Sequence, residues 1–159
     1  MSKIVVANAT PIVSLCAIGR EDIFQQLFQR IVIAQAVADE LRAAKKPGSA
    51  FPDLAWVDIL PAENRMLVRS FQKDLDLGEA ETIALALQMN ADAALIDEFA
   101  GYQIAKHLNL PVIRTLSVLK TAKNRQIFLE VRPLVEAMMR QGRWYSRLLI
   151  EQFLRDLGE

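Results

Sequence analysis

Five residues stand where their chemistry could be used together: Asn8, Glu40, Glu79, Asp97 and Glu98. Four are carboxylates, and the fifth offers an amide oxygen. Mg²⁺ and Mn²⁺ take oxygen ligands. Carboxylates converging on one pocket repel one another, and a bound cation relieves that repulsion. In phosphodiester hydrolysis such a cation polarises the phosphate and lowers the pKa of an attacking water. Each acid also has a plainer reading. Asp97 and Glu98 follow a buried strand, where a chain commonly meets water. Glu79 lies in the first turn of a helix, where the dipole favours a carboxylate and capping is its ordinary role. Glu81 sits more nearly on the outer side of that helix and is the weaker candidate. Any α/β domain carries scattered acids, so spacing alone leaves both readings open.

The elements that must position these residues follow from the pattern. Residues 3–7 are a short apolar run rich in β-branched residues, ending in Asn8 and read as a buried strand. Thr10-Pro11 supplies an N-cap with proline at the first helical position, and the helix runs to Ile18 before Gly19. A helix over 21–28 and a strand over 30–34 come next. The helix over 36–44 turns Val37, Leu41 and Ala44 inward, which places Glu40 beside the buried stripe. Residues 45–53, with Pro47, Gly48 and Pro52, form a loop. A strand over 56–60 and a helix over 63–73 follow. Asp76-Leu-Gly-Glu opens a helix that runs to Met89. The strand 93–96 ends at Asp97. A helix (99–108), a strand (111–113), a helix (116–123) and two closing helices near 131–140 and 147–157 complete the chain.

Strands alternating with helices imply a mostly parallel sheet covered on both faces, an α/β sandwich. No repeat or long linker divides the chain, so residues 1–159 read as one domain. The segment of about 128–157 is expected to pack on it or to lie at an interface. In such sheets ligands bind beyond the carboxyl ends of the strands. Asn8 and Asp97 stand at two of those ends.

Composition removes other classes. The chain has 159 residues, 52% of them apolar and 24% charged, a foldable globular balance. Nineteen basic residues cancel nineteen acidic ones, which argues against a broad coat for duplex DNA. No apolar run approaches the roughly 20 residues of a membrane helix, and no signal peptide is indicated. One cysteine, Cys16, permits no disulfide within the chain and suits a reducing cytoplasm. It lies among Val13, Leu15 and Ile18 and reads as a core residue. One histidine, His107, rules out a histidine-rich zinc site and reads as a helix-terminal side chain. No G-x-S-x-G, G-x-x-x-x-G-K or G-x-G-x-x-G motif is present.

Motifs in order make the reading more specific. Ile4-Val-Val-Ala-Asn-Ala-Thr-Pro-Ile resembles the opening of PIN domains, where a first strand ends in an acid. Val37-Ala-Asp-Glu-Leu is similar to the acidic motif of their second helix and points to Glu40. Leu77-Gly-Glu-Ala-Glu-Thr-Ile resembles the Gly-Glu-Ala helix of one PIN subgroup and points to Glu79. Leu95-Ile-Asp-Glu, followed by Ile104-Ala-Lys-His-Leu-Asn-Leu-Pro-Val, resembles the segment carrying the last acids. Thr115-Leu-Ser-Val-Leu with Ala122 and Lys123 is similar to the same subgroup. The likeness spans roughly residues 4–125. It implies a three-layer α/β/α sandwich and a ribonuclease of the VapC toxin type, dependent on Mg²⁺ or Mn²⁺. It also implies a homodimer neutralised by a small antitoxin. The site it implies joins Asn8, Glu40, Glu79, Asp97 and Glu98 around the metal, with Glu40, Glu79 and Asp97 catalytic.

One position departs from that pattern. The first acid is Asn8, which can still ligate through its oxygen but brings no charge and cannot act as a base. A second function follows from it: a PIN-like binding or regulatory module with weakened or lost catalysis. An unrelated small-molecule enzyme of α/β fold is a third. At the far end, Trp144 and Tyr145 precede a helix carrying Leu149, Ile150, Phe153, Leu154 and Leu157. This apolar set either packs on its own domain or meets a second subunit or an antitoxin.

Overall fold

The computed structural model describes residues 3–43 and 45–159; the inward placement expected of Ala44 lies outside them. Five strands form one sheet: β1 (Val5–Ala7), β2 (Ile31–Ala34), β3 (Val57–Leu60), β4 (Ala93–Leu95) and β5 (Val112–Ile113). All neighbouring strands are parallel, in the order β3-β2-β1-β4-β5. Every residue of β1, β2 and β4 is buried, as it must be when helices cover both faces of a sheet. The result is the three-layer α/β/α sandwich that the resemblance implies.

The helices among the described residues are α1 (Ala9–Cys16), α2 (Asp22–Phe28), α3 (Gln35–Ala43), α4 (Arg65–Phe71) and α5 (Leu77–Gln88), then α6 (Phe99–His107), α7 (Thr115–Asn124), α8 (Arg132–Arg140) and α9 (Arg147–Asp156). Their positions follow the sequence pattern closely. Three local features differ from it. The α1 cap is Asn8, with extended backbone (φ −80°, ψ 169°), and not Thr10. The loop after α3 holds a 3-10 turn, Phe51–Asp53, whose Phe51 is core. Phe51 meets Phe24 and Trp56 edge to face at 6.1 and 5.4 Å, so an aromatic row fixes this connection. And α5 is buried almost all round, from Gly78 through Ala86 with only Glu79 half-buried, leaving no outer side for Glu81.

The closing helices pack on the sheet domain. Val135 and Met138 of α8 and Ile150 and Leu154 of α9 join the core, and Phe153 and Leu157 lie against it. Glu159 ties the segment down. Its carboxylate accepts the backbone N–H groups of Val131 and Arg132, both at 2.9 Å, and Lys123 Nζ at 2.7 Å. Leu148 and Trp144 remain exposed. No helix among the described residues is long and apolar enough to cross a membrane.

The strand order reverses direction at β1, which has β2 on one side and β4 on the other. The crevice beyond the carboxyl ends of β1 and β4 is therefore the topological switch point, the place where such sheets leave room for a ligand.

Candidate functional site

Asn8 and Glu98 meet at that crevice. The backbone N–H of Asn8 extends the β1–β4 pairing by donating to Leu95 O at 3.0 Å. Its side chain, free of the capping bond that an N-cap commonly makes, donates from Nδ2 to Glu98 Oε2 at 3.3 Å. Asn8 is only 4% exposed. Thr10 Oγ1 donates to Glu98 Oε1. Glu98 is itself the N-cap residue of α6 but caps nothing with its side chain, which reaches across to β1 and α1 instead.

A second pair opens α5. Asp76 Oδ1 accepts the Glu79 N–H at 2.8 Å, and Glu79 Oε2 accepts the Asp76 N–H at 3.0 Å, a reciprocal capping box. Capping and membership of an acidic site are therefore compatible for Glu79: one carboxylate oxygen serves the cap and the other is left over. Glu40 approaches the same turn from α3. A Cβ on Gly78 would lie 3.2 Å from Glu40 Oε2 and 3.6 Å from Asp76 Oδ1. Glycine here is what lets the Glu40 carboxylate press against the first turn of α5.

These acids feel one another. Burial raises the Glu40 carboxyl above the ordinary carboxylate range, and the charges of Asp76 and Glu98 push it the same way, with Lys46 opposing. Burial likewise raises Glu79; the cap bond from Asp76 opposes this, while the charges of Asp76, Glu98 and Glu40 add to it. Glu40, Glu79, Glu98 and Asp76 thus form one mutually repelling group.

Asp97 has different company. Its Oδ1 accepts the Thr115 N–H at 2.8 Å, and its Oδ2 accepts Thr115 Oγ1 at 2.6 Å and Arg143 Nη2 at 3.0 Å. The side chain is 4% exposed, so Arg143 neutralises a charge that would otherwise be buried alone. Arg143 arrives from the turn after α8. Gly142, at φ +105°, reverses the chain there, and the Arg143 N–H closes the turn on Met138 O at 3.0 Å. The Arg143 guanidinium lies over the Tyr145 ring at 4.9 Å.

Of the five residues singled out from sequence, the structure gathers Glu40, Glu79 and Glu98 into one electrostatic group. It sets Asn8 against Glu98 and turns Asp97 toward Thr115 and Arg143. Glu81 does not join them. It is 4% exposed, and accepts the Ala36 N–H and Arg65 Nη1, each at 2.9 Å. It caps the start of α3 and is structural. Cys16 is packed against the core, and burial, with Glu21 beside it, pushes its thiol up to about 12. His107 is exposed at the last position of α6. Sequence reasoning missed Asp76, Thr10, Thr115 and Arg143 as members of the neighbourhood. The spacing Asp76-x-x-Glu79 is a capping-box signature and could have found the first. Arg143 is 46 residues from Asp97 and carries no local signal.

The donor set is all oxygen and, Asn8 apart, anionic, which fits a hard divalent cation and not a soft one. Among the described residues, no three His, Cys, Asp or Glu side chains stand close enough to clasp an ion directly as they lie. That is compatible with Mg²⁺, which keeps several of its waters and is commonly held through one or two carboxylates. A hollow of about 1060 Å³ between α4 and α6 contains none of these acids. Two smaller ones adjoin them: about 320 Å³ around Glu40, Asp76 and Gly78, and about 290 Å³ between α1 and the turn after α8.

Compared with known families, the sequence matches the model of a PIN domain family over residues 4–159. No curated protein matches it.

Proposed function

Because the chain belongs to the PIN domain family, whose members are generally nucleases acting on nucleic acids, we propose that it is an endoribonuclease dependent on Mg²⁺ or Mn²⁺. The observation that carries this reading is the convergence of acids at the topological switch point: the Glu40 carboxylate lies against the first turn of α5, which Asp76 and Glu79 cap, and Glu98 meets Asn8 beyond β1 and β4. A fold holds like charges together at a cost, and that cost is recovered when a cation binds.

In this reading Asn8, Glu40, Glu79, Asp97 and Glu98 hold the metal, directly or through its waters. The metal supplies a polarised phosphate oxygen and an acidified water. Glu79 has one carboxylate oxygen not engaged by its cap, and that oxygen would accept a proton from an attacking water. Glu40 would serve in the same way. Asn8 and Thr10 orient Glu98 by their hydrogen bonds, and Thr115 orients Asp97. The test is cleavage of single-stranded RNA with Mg²⁺ or Mn²⁺, paired with titration calorimetry. Loss of both cleavage and metal binding in Glu40→Gln and Asp97→Asn supports the site. Unchanged metal binding in both removes it.

The finer assignment, a toxin of the VapC type acting in the cytoplasm as a homodimer and neutralised by an antitoxin, rests on the sequence resemblance. A short open reading frame for a DNA-binding protein immediately upstream would support it. A second reading has its own observation. Asn8 is neutral and is spent as a donor to Glu98, and Arg143 already pairs with Asp97. A module that binds a partner and does not cut would look like this. Metal-independent RNA or protein binding without cleavage distinguishes it.

A further inference from the structure

We propose that the hollow between α1 and the turn joining α8 to α9 receives a backbone phosphate of single-stranded RNA, adjacent to the phosphate that is cut. The inference deepens the ribonuclease reading and rests on it.

The hollow measures about 290 Å³ and has cationic groups in its wall, Lys46 from the loop after α3 and Arg143 from the turn after α8. Among the described residues Lys46 makes no ion pair within 4.0 Å. Arg143 has five donors, and the single hydrogen bond it gives to Asp97 leaves the fork able to grip a second oxyanion. Ser14 lines the same hollow and is 94% buried, at 6% exposure. Its hydroxyl adds a donor to that wall, while Thr10, one turn earlier, spends its own on Glu98. Among the described residues, Arg143 Nε is buried without a hydrogen-bond partner. Gln141, at the C-cap of α8, adds a carboxamide.

The hollow is also in the right place. Glu40 lines both it and the neighbouring cavity beside Asp76 and Gly78. Arg143 lines it and pairs with Asp97. Two residues therefore join the donor-rich hollow to the acidic group, acids on one side for the metal and donors on the other for an anion. A polyanion whose charges repeat along its length satisfies both at once, one phosphate at the metal and the next at Lys46 and Arg143. The neutral net charge agrees with a grip on a few phosphates in place of a broad basic coat.

The experiment uses the full chain and a labelled 12-nucleotide phosphorothioate RNA with Ca²⁺, read by fluorescence anisotropy across a salt series. Lys46→Gln and Arg143→Gln are each expected to weaken binding roughly tenfold. Each should also lower the slope of log affinity against log salt by about 0.7. Ser14→Ala should weaken binding by a smaller factor, and Arg69→Gln on exposed α4 should change nothing. Pyrophosphate titration provides the second arm. If the parent binds RNA and both glutamine variants bind it equally well with unchanged slopes, the subsite is overturned and the ribonuclease reading stands. If the parent binds pyrophosphate through Lys46 and Arg143 but no RNA, the ribonuclease reading and the RNA assignment fall together. If it binds neither, the hollow is not an anion site at all.

Discussion

Asn8 Nδ2 donates to Glu98 Oε2 at 3.3 Å across 90 residues of sequence, at the point where β1 and β4 end side by side. An aspartate at position 8 has no proton to give and adds a charge to a group already in repulsion. Asn8→Asp is therefore expected to lower the stability of the metal-free protein by about 1–3 kcal/mol. Mn²⁺ should restore it, and metal-dependent RNA cleavage should rise. Thermal melts with and without Mn²⁺, beside a cleavage assay, check this. No change in either places Asn8 outside the site.

Glu79 and Glu81 are two residues apart and should behave oppositely. Glutamine preserves a capping box at N3 while removing charge. Glu79→Gln should leave the metal-free protein as stable as the parent or more so, and weaken Mn²⁺ binding measured by calorimetry. Glu81→Ala leaves the Ala36 N–H without its acceptor and Arg65 without its partner. It should destabilise by about 1–3 kcal/mol with Mn²⁺ affinity per folded molecule unchanged. Reversal of the two outcomes would exchange their roles.

The raised carboxyls of Glu40 and Glu79 give the metal-free protein a definite pH dependence, caused first by burial and then by neighbouring acids. Their folded-state values lie above the ordinary 4.5, so the folded chain holds more protons than the unfolded one in the window just above 4.5. Stability from these two groups accordingly falls as pH rises through that window. The lowered carboxyls of Asp22, Asp58 and Glu159 work the other way and lose their contribution on acidification. Urea denaturation in EDTA at about pH 5 and about pH 7.5 should therefore show a Glu40→Gln/Glu79→Gln double variant gaining on the parent at the higher pH. An equal difference at both pH values would contradict the repulsion.

On α9 the two faces separate folding from assembly. Leu154 is buried, while Leu148 is 80% exposed and Trp144, just before the helix, 78%. Leu154→Ala should cost about 2–5 kcal/mol. Leu148→Ser with Trp144→Ser should leave stability within about 0.5 kcal/mol. If this surface forms the proposed dimer, light scattering should show the double variant as a monomer where the parent is a dimer. A dimer that survives the change lies elsewhere, and a parent that stays monomeric at micromolar concentration removes the dimer.

Much of this architecture was legible because its signals are local. Ile31, Val32 and Ile33 form an unbroken β-branched run, the pattern of a strand buried on both faces. Gly19, at φ +67°, follows the first helix as expected, but the helix starts at Ala9, two residues before Pro11, and ends at Cys16. Misreadings arose where two signals competed. Thr10 before proline looks like a cap, but Asn8 takes that position and Thr10 turns to Glu98. Glu81 was placed on an outer face that α5 does not have, since burial on nearly every side erases the periodicity that face assignments rely on. The likeness of the acidic motifs singled out Asn8, Glu40, Glu79, Asp97 and Glu98 as one site. It could not foresee that Asp97 is held by Arg143, because nothing near either residue encodes a contact between distant turns.

The parallel order with β1 at its centre also bears on how the chain is made. Val5 pairs with the register of Ala93, 88 residues later. At ribosomal rates of roughly 5–20 residues per second, β1 waits roughly 4–18 s for its second neighbour. Until then one edge of a fully apolar strand is open, with β2 paired along the other. The pairings that define the crevice are among the last to become available, and Arg143 emerges later still. Nascent chains should thus pass through an interval in which β1 has one partner and Glu98 has not yet reached Asn8, so that any activity begins only after Arg143 has been made.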